Sequence, residues 1–301
     1  MRKIICIGEC CLDIVFEGER PVGAVSGSRV INAAAMLARL GLPVEVVSEA
    51  GTDPAGDRVV GFLAEAGADT RCIDRFTEGR TPLQLYTDAP AGGVAVTRYA
   101  DYGTADFDVV WPRVDDQSII IFGGYYAVDD RTRGHMSRFL DNCRERGALM
   151  IYLPGFLPGR VNRITRVMPA ILENLEASHL VVARDSDLQL IFGDDSAARC
   201  YADHIDFYCR SMVSVDPAER CISYFSGREV SSAVIPGDIC LSLQWNAGVV
   251  AGLAAAIAEG GLHAADLDAP AAGVRERLLS AAAGSAARAA ASLTEPWQHK
   301  I

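Results

Sequence analysis

The sequence predicts an α/β protein with a central, mostly parallel sheet flanked by helices and a smaller β-sheet beside it. Three observations carry this. Short apolar runs alternate with helical patterns from Ser118 to Val215, the rhythm of parallel strands joined by crossover helices. Two alternating runs, Thr81 to Asp88 and Val94 to Asp101, flank Ala89-Pro90-Ala91-Gly92-Gly93 and read as a β-hairpin inserted between α/β units. Finally, the apolar run Glu229 to Val234 is broken by Pro236 and Gly237, and an Ala-rich helix follows.

Taken in order, Ile4 to Ile7 has the look of a short buried strand and Leu12 to Phe16 continues extended. Gly27 and Ser28 form a small-residue turn into a helix that Gly41 ends. Val44 to Ser48 is a strand, Gly51 to Asp57 a loop, and Arg58 to Ala66 a helix closed by Gly67. Beyond the hairpin come strand Ser118 to Phe122, helix Asp130 to Arg146, strand Leu149 to Leu153, helix Ile164 to Leu175 and strand His179 to Val182. Helix Ser196 to Tyr208, strand Met212 to Val215 and the antiparallel pair Ile222 to Phe225 and Glu229 to Val234 follow. In the next segment Asp238 can cap a helix on which Leu241, Trp245, Val249, Leu253 and Ile257 recur at fourfold spacing. Ala271 to Leu293 is a further helical segment, of which Glu276 to Arg288 reads as a surface helix.

Composition narrows the function. With 301 residues, 50% hydrophobic and 22% charged, the chain can bury a sizeable core. A net charge of −11 argues against nucleic acid and anionic membranes as partners, and no apolar run is long enough to span a bilayer. Lys3 and Lys300 are the only lysines, which excludes a Gly-Lys-Ser/Thr phosphate loop and a lysine Schiff base. Nine cysteines, an odd count with no Cys-x-x-Cys pair, read as buried thiols of a cytoplasmic protein. Gly8, Glu9 and Asp13 interrupt the first apolar run too early for a signal peptide, and the five histidines lack ligand spacing, so no metal site is expected from protein ligands alone.

A helix beginning against a sheet end points unpaired N–H groups into the crevice, which suits a phosphate. The segment after Pro236 has that placement, and its tail Trp245-Asn246-Ala247-Gly248 resembles the C-terminal signature of the PfkB, or ribokinase-like, carbohydrate kinases, Asp-Thr-x-Gly-Ala-Gly-Asp-x-Phe-x-Ala-Gly. A second resemblance is to the family's N-terminal signature. Gly27, Asn32, Ala34, Leu40, Gly41, Gly51, Asp53 and Gly56 match it, Ser28 replaces its second glycine, and Gly8-Glu9 with Asp13 resembles its start. The resemblance implies a ribokinase-like α/β fold over 1–301 as one domain, with a small β-sheet lid built from segments at about 12–26 and 81–103. It also implies a small-molecule sugar as partner, ATP and Mg2+ as cosubstrate and cofactor, and a homodimer through the lid.

The family's sugar-binding positions fall on Asp13, Gly27 and Asn32, with Ser28 beside them. Chemically, Asp13 can accept from a hydroxyl pair, Asn32 can donate and accept, and Gly27 lets a polyol approach the backbone. The bland alternatives are a strand-end acid and a turn residue satisfying its own backbone. Tyr99 and Tyr102 on the hairpin are placed to stack on a sugar face or to pack across strands.

The nucleotide half departs from the family. Registered on Ala247 and Gly248, the Gly-Ala-Gly anion hole falls on Cys240, Leu241 and Ser242, and the catalytic Asp falls on Leu243. Leu153-Pro154-Gly155-Phe156-Leu157 stands where relatives carry Asp-Pro-Asn-x-Arg. The metal-linked Asn-x-x-Glu falls on Arg184-Asp185-Ser186-Asp187, and a glycine-rich nucleotide loop on Val215-Asp216-Pro217-Ala218-Glu219. Losing a general base costs about 10²- to 10⁴-fold in rate, and one oxyanion donor roughly 3 kcal/mol more. Each carboxylate at about 5 Å from a phosphate adds roughly 3 kcal/mol of repulsion at an effective dielectric near 20. These expectations describe a pseudokinase that keeps a sugar pocket and binds ATP and Mg2+ weakly or not at all. The alternatives are an active ATP-dependent sugar kinase using Asp238 or Asp187, with Gly237-Asp238 as the family's Gly-Asp, and a structural subunit paired with an active homologue.

Overall fold

The computed structural model describes residues 2–88, 94–103, 106–155, 164–236 and 243–291. In chain order the elements begin with β1 (Ile4–Ile7), β2 (Leu12–Glu17), β3 (Arg20–Ser26), α1 (Arg29–Arg39), β4 (Val44–Gly51), α2 (Pro54–Glu65), β5 (Ile73–Phe76), β6 (Arg80–Asp88) and β7 (Val94–Asp101). Next come β8 (Ile119–Gly123), α3 (Asp130–Glu145), β9 (Leu149–Leu153), α4 (Ile164–Ala177), β10 (Leu180–Arg184), α5 (Asp185–Phe192) and α6 (Ala197–Cys200). The chain continues through β11 (Ser211–Asp216), β12 (Cys221–Ser226), β13 (Glu229–Val234), α7 (Leu243–Glu259), α8 (Ala264–Asp268) and α9 (Ala272–Ala291).

Among the described residues nine strands form one sheet in the order β13-β12-β11-β10-β9-β8-β1-β4-β5, parallel except at the β11-β12-β13 end. Its central strands are buried on both faces, so Ile4 and Cys6 enter one apolar layer while Ile5 and Ile7 enter the other. The second, smaller sheet has the order β3-β2-β6-β7, with β2 and β6 parallel and β6 and β7 a hairpin; its strands fall within the segments expected to form the lid.

Several expectations are corrected. The second helix starts at Pro54, four positions before Arg58, because Pro is suited to the first turn and Asp53 caps it, its Oδ1 accepting from Gly56 N at 2.9 Å. The other oxygen of Asp53 accepts from Thr81 N at 2.7 Å, and Thr81 Oγ1 accepts from Gly51 N at 2.9 Å. A Cβ on Gly56 would lie 2.1 Å from Gly51 O, so Gly51-x-Asp53-x-x-Gly56 is a structural clasp between β4, α2 and the lid. The helix expected at Ser196 to Tyr208 is one α-turn, α6, followed by a π-turn at Tyr201–Ile205. Helix α5 occupies a stretch read only as an altered motif, β3 falls within the β-segment expected at about 12–26, and β5 and α8 are further additions.

The segment Glu276 to Arg288 is more than a surface helix. Leu278, Leu279, Ala282, Ala283 and Ala286 of α9 are buried against α7. The helices meet so closely that a Cβ on Gly252 would lie 2.4 Å from Ala281 O and one on Gly248 2.9 Å from Ala286 Cα. Gly248, part of the family-like tail, is therefore a packing glycine. Among the described residues no helix is long and apolar enough to cross a membrane.

Candidate functional site

Strand order reverses direction at β1, which pairs with β4 on one side and β8 on the other. In open α/β sheets ligands enter the crevice beyond the C-terminal strand ends at such a point. A cavity lies there. Its floor is supplied by Glu9 beyond β1, Gly124 and Tyr125 beyond β8, Leu153 and Gly155 at β9, and Arg184 closing β10. The start of α1 contributes Ser28, Arg29, Val30 and Asn32, and the lid contributes Asp13 from β2 with Gln84 and Tyr86 from β6.

One end of the cavity is rich in acceptors. Asp13 is fully buried; its Oδ1 accepts from Gln84 Nε2 at 3.0 Å and its Oδ2 from Tyr86 OH at 3.3 Å. Burial, and then the Asp13 charge, push the Tyr86 phenol well above its usual range, so it stays a donor. Asn32 and Gln84, 4% and 3% exposed, each carry a side-chain carbonyl oxygen without a protein partner among the described residues. A buried acceptor without a donor is costly, so these two oxygens leave hydrogen-bonding capacity open at this end of the cavity.

The other end is basic. Asp187, 1% exposed, accepts from Arg184 Nη2 at 2.7 Å and Nε at 3.0 Å, and from Arg29 Nη1 at 2.8 Å. Burial alone would raise the Asp187 carboxyl, but Arg184 and Arg29 hold it below the usual carboxylate range. Arg29 Nη2 also donates to Pro154 O at 3.1 Å. A Cβ on Gly155 would lie 1.3 Å from that same Nη2, so Gly155 leaves the space that the guanidinium fills.

The lid edge is tied down beside the cavity. Glu9 accepts from Arg98 of β7, and from Tyr102 OH at 2.7 Å. The Arg98 guanidinium stands 5.4 Å from the Tyr125 ring centre, and Arg131, which pairs with buried Glu49, lies 3.9 Å over Tyr102.

The expected site residues fare unequally. Asp13, Ser28 and Asn32 converge on the cavity, whereas Gly27 stands behind Asp13: a Cβ there would meet Asp13 Oδ1 at 2.3 Å, so it makes room for the carboxylate rather than for a ligand. Ser28 has φ 78°, a backbone that favours glycine and is strained for a side-chain-bearing residue. Tyr99 pairs with Leu83 across the hairpin and is 59% exposed, away from the residues that line the cavity. Tyr102 serves the lid tie instead of stacking on a ligand. Gln84, Tyr86, Arg29 and Arg184 are contributors that sequence reading missed. The readable signal was the parity of Gln84 and Tyr86 on a strand beside Asp13. Asp238, Cys240, Leu241 and Ser242 lie outside the described residues; Leu243 opens α7, and its side chain lies outside them too.

At the ends of β10 and β11 the chain places acids. Burial, and then the charge of Asp216, push the Asp185 carboxyl upward. Asp216 Oδ1 accepts from Ala218 N at 2.9 Å and Glu219 N at 3.1 Å, closing a short hairpin turn into β12. That turn resembles no glycine-rich cradle, and Asp187 spends both oxygens on arginines.

The profile of the pfkB family carbohydrate kinases matches residues 1–205. No curated protein matched in sequence. Among solved structures, aminoimidazole riboside kinase from Salmonella enterica, complexed with aminoimidazole riboside and an ATP analog, superposes with a TM-score of 0.80 at 14% identity, over 97% of this chain and 94% of that one. Fructokinase from Vibrio cholerae O395 in its fructose, ADP and calcium ion bound form gives 0.80 at 14% identity, over 99% and 95%. Fructokinase from Xylella fastidiosa gives 0.73 at 19% identity, over 99% and 96%.

Proposed function

The chain belongs to the pfkB family of carbohydrate kinases, and on that footing we propose that it is a sugar-binding member that has lost ATP-dependent phosphotransfer, a pseudokinase. One observation carries the sugar half. Asn32 and Gln84 bring buried, unpartnered carbonyl oxygens to a cavity beside the Asp13 carboxylate, an arrangement suited to neighbouring hydroxyls.

The loss of phosphotransfer is supported by the described residues of the nucleotide half, which do not fit a metal-bound triphosphate. ATP with Mg2+ would supply the phosphoryl group in an active member. Here the acid at the metal-linked position, Asp187, is sequestered by Arg29 and Arg184, and Asp185 with Asp216 present negative charge to an anion. The leucine at the expected base position, Leu243, offers no proton acceptor.

A second reading, an active kinase, is favoured by the near-complete superposition on kinases solved with nucleotides. Calorimetric titration with Mg-ATP separates the two. No heat, together with sugar-dependent heat, supports the pseudokinase. Micromolar to low-millimolar ATP affinity with turnover abolished by Asp238→Asn establishes the kinase and ends the first reading. A homodimer through the lid, in a cytoplasmic setting, completes the proposal; a one-chain mass by light scattering removes the dimer.

A further inference from the structure

The cavity has ends of opposite chemistry, and the basic end holds more charge than its structural partner requires. Arg29 and Arg184 both face Asp187, two cations on one anion. One arginine would neutralise that carboxylate. The second adds a surplus positive charge on the cavity wall, where both guanidiniums are lining groups. Arg184 spends Nε and Nη2 on Asp187, and its Nη1 has no protein partner among the described residues. Gly155 gives up any side chain to seat Arg29, which is a built feature and not a chance surface pair. Tyr86, whose hydroxyl meets Asp13, also lies within the field of Arg184, so the basic and acceptor ends adjoin within reach of one small molecule.

Resting on the sugar-binding reading above, we propose that the ligand is a sugar bearing its own anionic group, a carboxylate or a phosphate. Arg29 and Arg184 receive the anion while Asp13, Asn32 and Gln84 receive the hydroxyls. Planar guanidiniums suit both oxyanions, and a bound anion balances the two arginines as two ion pairs. With a neutral sugar bound, the second guanidinium would be balanced only from across the cavity, by the Asp13 carboxylate that the hydroxyls engage. Asp13 sets a polarity: its carboxylate repels the anionic group, so the ligand has to lie with that group toward Arg184 and its hydroxyls toward β2 and β6.

The test uses the full chain and calorimetric titration with matched sets of one carbon skeleton, two trios and a pair: ribose, ribonate and ribose 5-phosphate; glucose, gluconate and glucose 6-phosphate; fructose with its 6-phosphate. Inorganic phosphate and acetate serve as bare anions. The expected result is that an anionic member binds about tenfold or more tighter than its neutral parent, with an advantage that shrinks as salt is raised. The acid and phosphate arms tell the two sources apart. In Arg184→Met the advantage should collapse; if that variant does not fold, the wild-type trios decide. Neutral sugars binding as tightly as their anionic partners overturn this inference and leave the sugar pocket standing. A bare anion binding as tightly as the corresponding sugar anion also overturns it, because charge and hydroxyls then do not belong to one ligand. No binding by any member overturns both readings.

Discussion

Both halves of the crevice present carboxylates and carbonyl oxygens at strand ends, yet they suit different visitors. At the lid, Asp13 is oriented by Gln84 and Tyr86, and two further acceptors stand ready for donors. At β10 and β11, burial and then the charge of Asp216 raise the Asp185 carboxyl, and Asp187 is consumed by arginines. Acceptor oxygens welcome hydroxyls and repel phosphates. What separates the halves is how the acceptors are spent: those at the lid stand open to donors, while at β10 and β11 Asp187 is taken by arginines and Asp216 by its own turn.

The largest expected effect tests whether Asp187 is structural. Asp187→Ala leaves two covered guanidiniums without their carboxylate and should cost about 3–5 kcal/mol in denaturant unfolding. A near-neutral outcome would free Asp187 for a metal role and erase the contrast. Next, Asp13→Asn removes a charged acceptor worth about 1.5–3 kcal/mol to a hydroxyl, so sugar affinity should fall about 10- to 150-fold while the melting temperature barely moves. Unchanged affinity would detach Asp13 from the ligand.

Two acids on one short helix should then show opposite pH signatures. Asp187 titrates below its usual range in the folded protein, so the unfolded chain takes up its proton first; this stabilisation is complete above about pH 4 and drains away as pH falls further. Asp185 is shifted upward, so the folded protein takes up that proton first, and stability is gained as pH falls through its raised value. Asp185→Asn should stabilise at neutral pH and Asp187→Asn destabilise; equal signs in urea melts would sink the assignment. The smallest effect concerns Ser28. Ser28→Gly relieves a positive φ and should add about 1 kcal/mol, visible as a raised urea midpoint, while any loss of sugar affinity would show that the hydroxyl earns its strained place.

Much of this was legible beforehand. The strand and helix rhythm, the lid hairpin and the positions of Asp13 and Asn32 follow from periodicity and from a motif spread over some thirty positions. Other parts resisted for physical reasons. Asp53-Pro54 is a helix start hidden among the Gly, Asp and Pro residues of positions 51–57 that also suit a loop, whereas the π-turn at Tyr201–Ile205 shares its hydrophobic pattern with an ordinary helix. Arg29 and Gly155 lie far apart in sequence, so the guanidinium seated over Gly155 is invisible until the fold joins α1 to β9. Likewise Arg184 registers in sequence only as a missing asparagine, although in space it is half of a basic wall.

The tie between the lid and Glu9 has a kinetic consequence. Arg98 and Glu9 are both mostly dry, and Tyr102 shares the same carboxylate oxygen. Separating them strips away a strong attraction before water can move in to replace it, so the resistance falls on the climb to the open form more than on the open form itself. A molecule whose entry requires this edge to part is therefore expected to arrive and leave slowly, at an affinity that need not be high. Tyr102→Phe should quicken both rates together in stopped-flow mixing, leaving their ratio nearly constant.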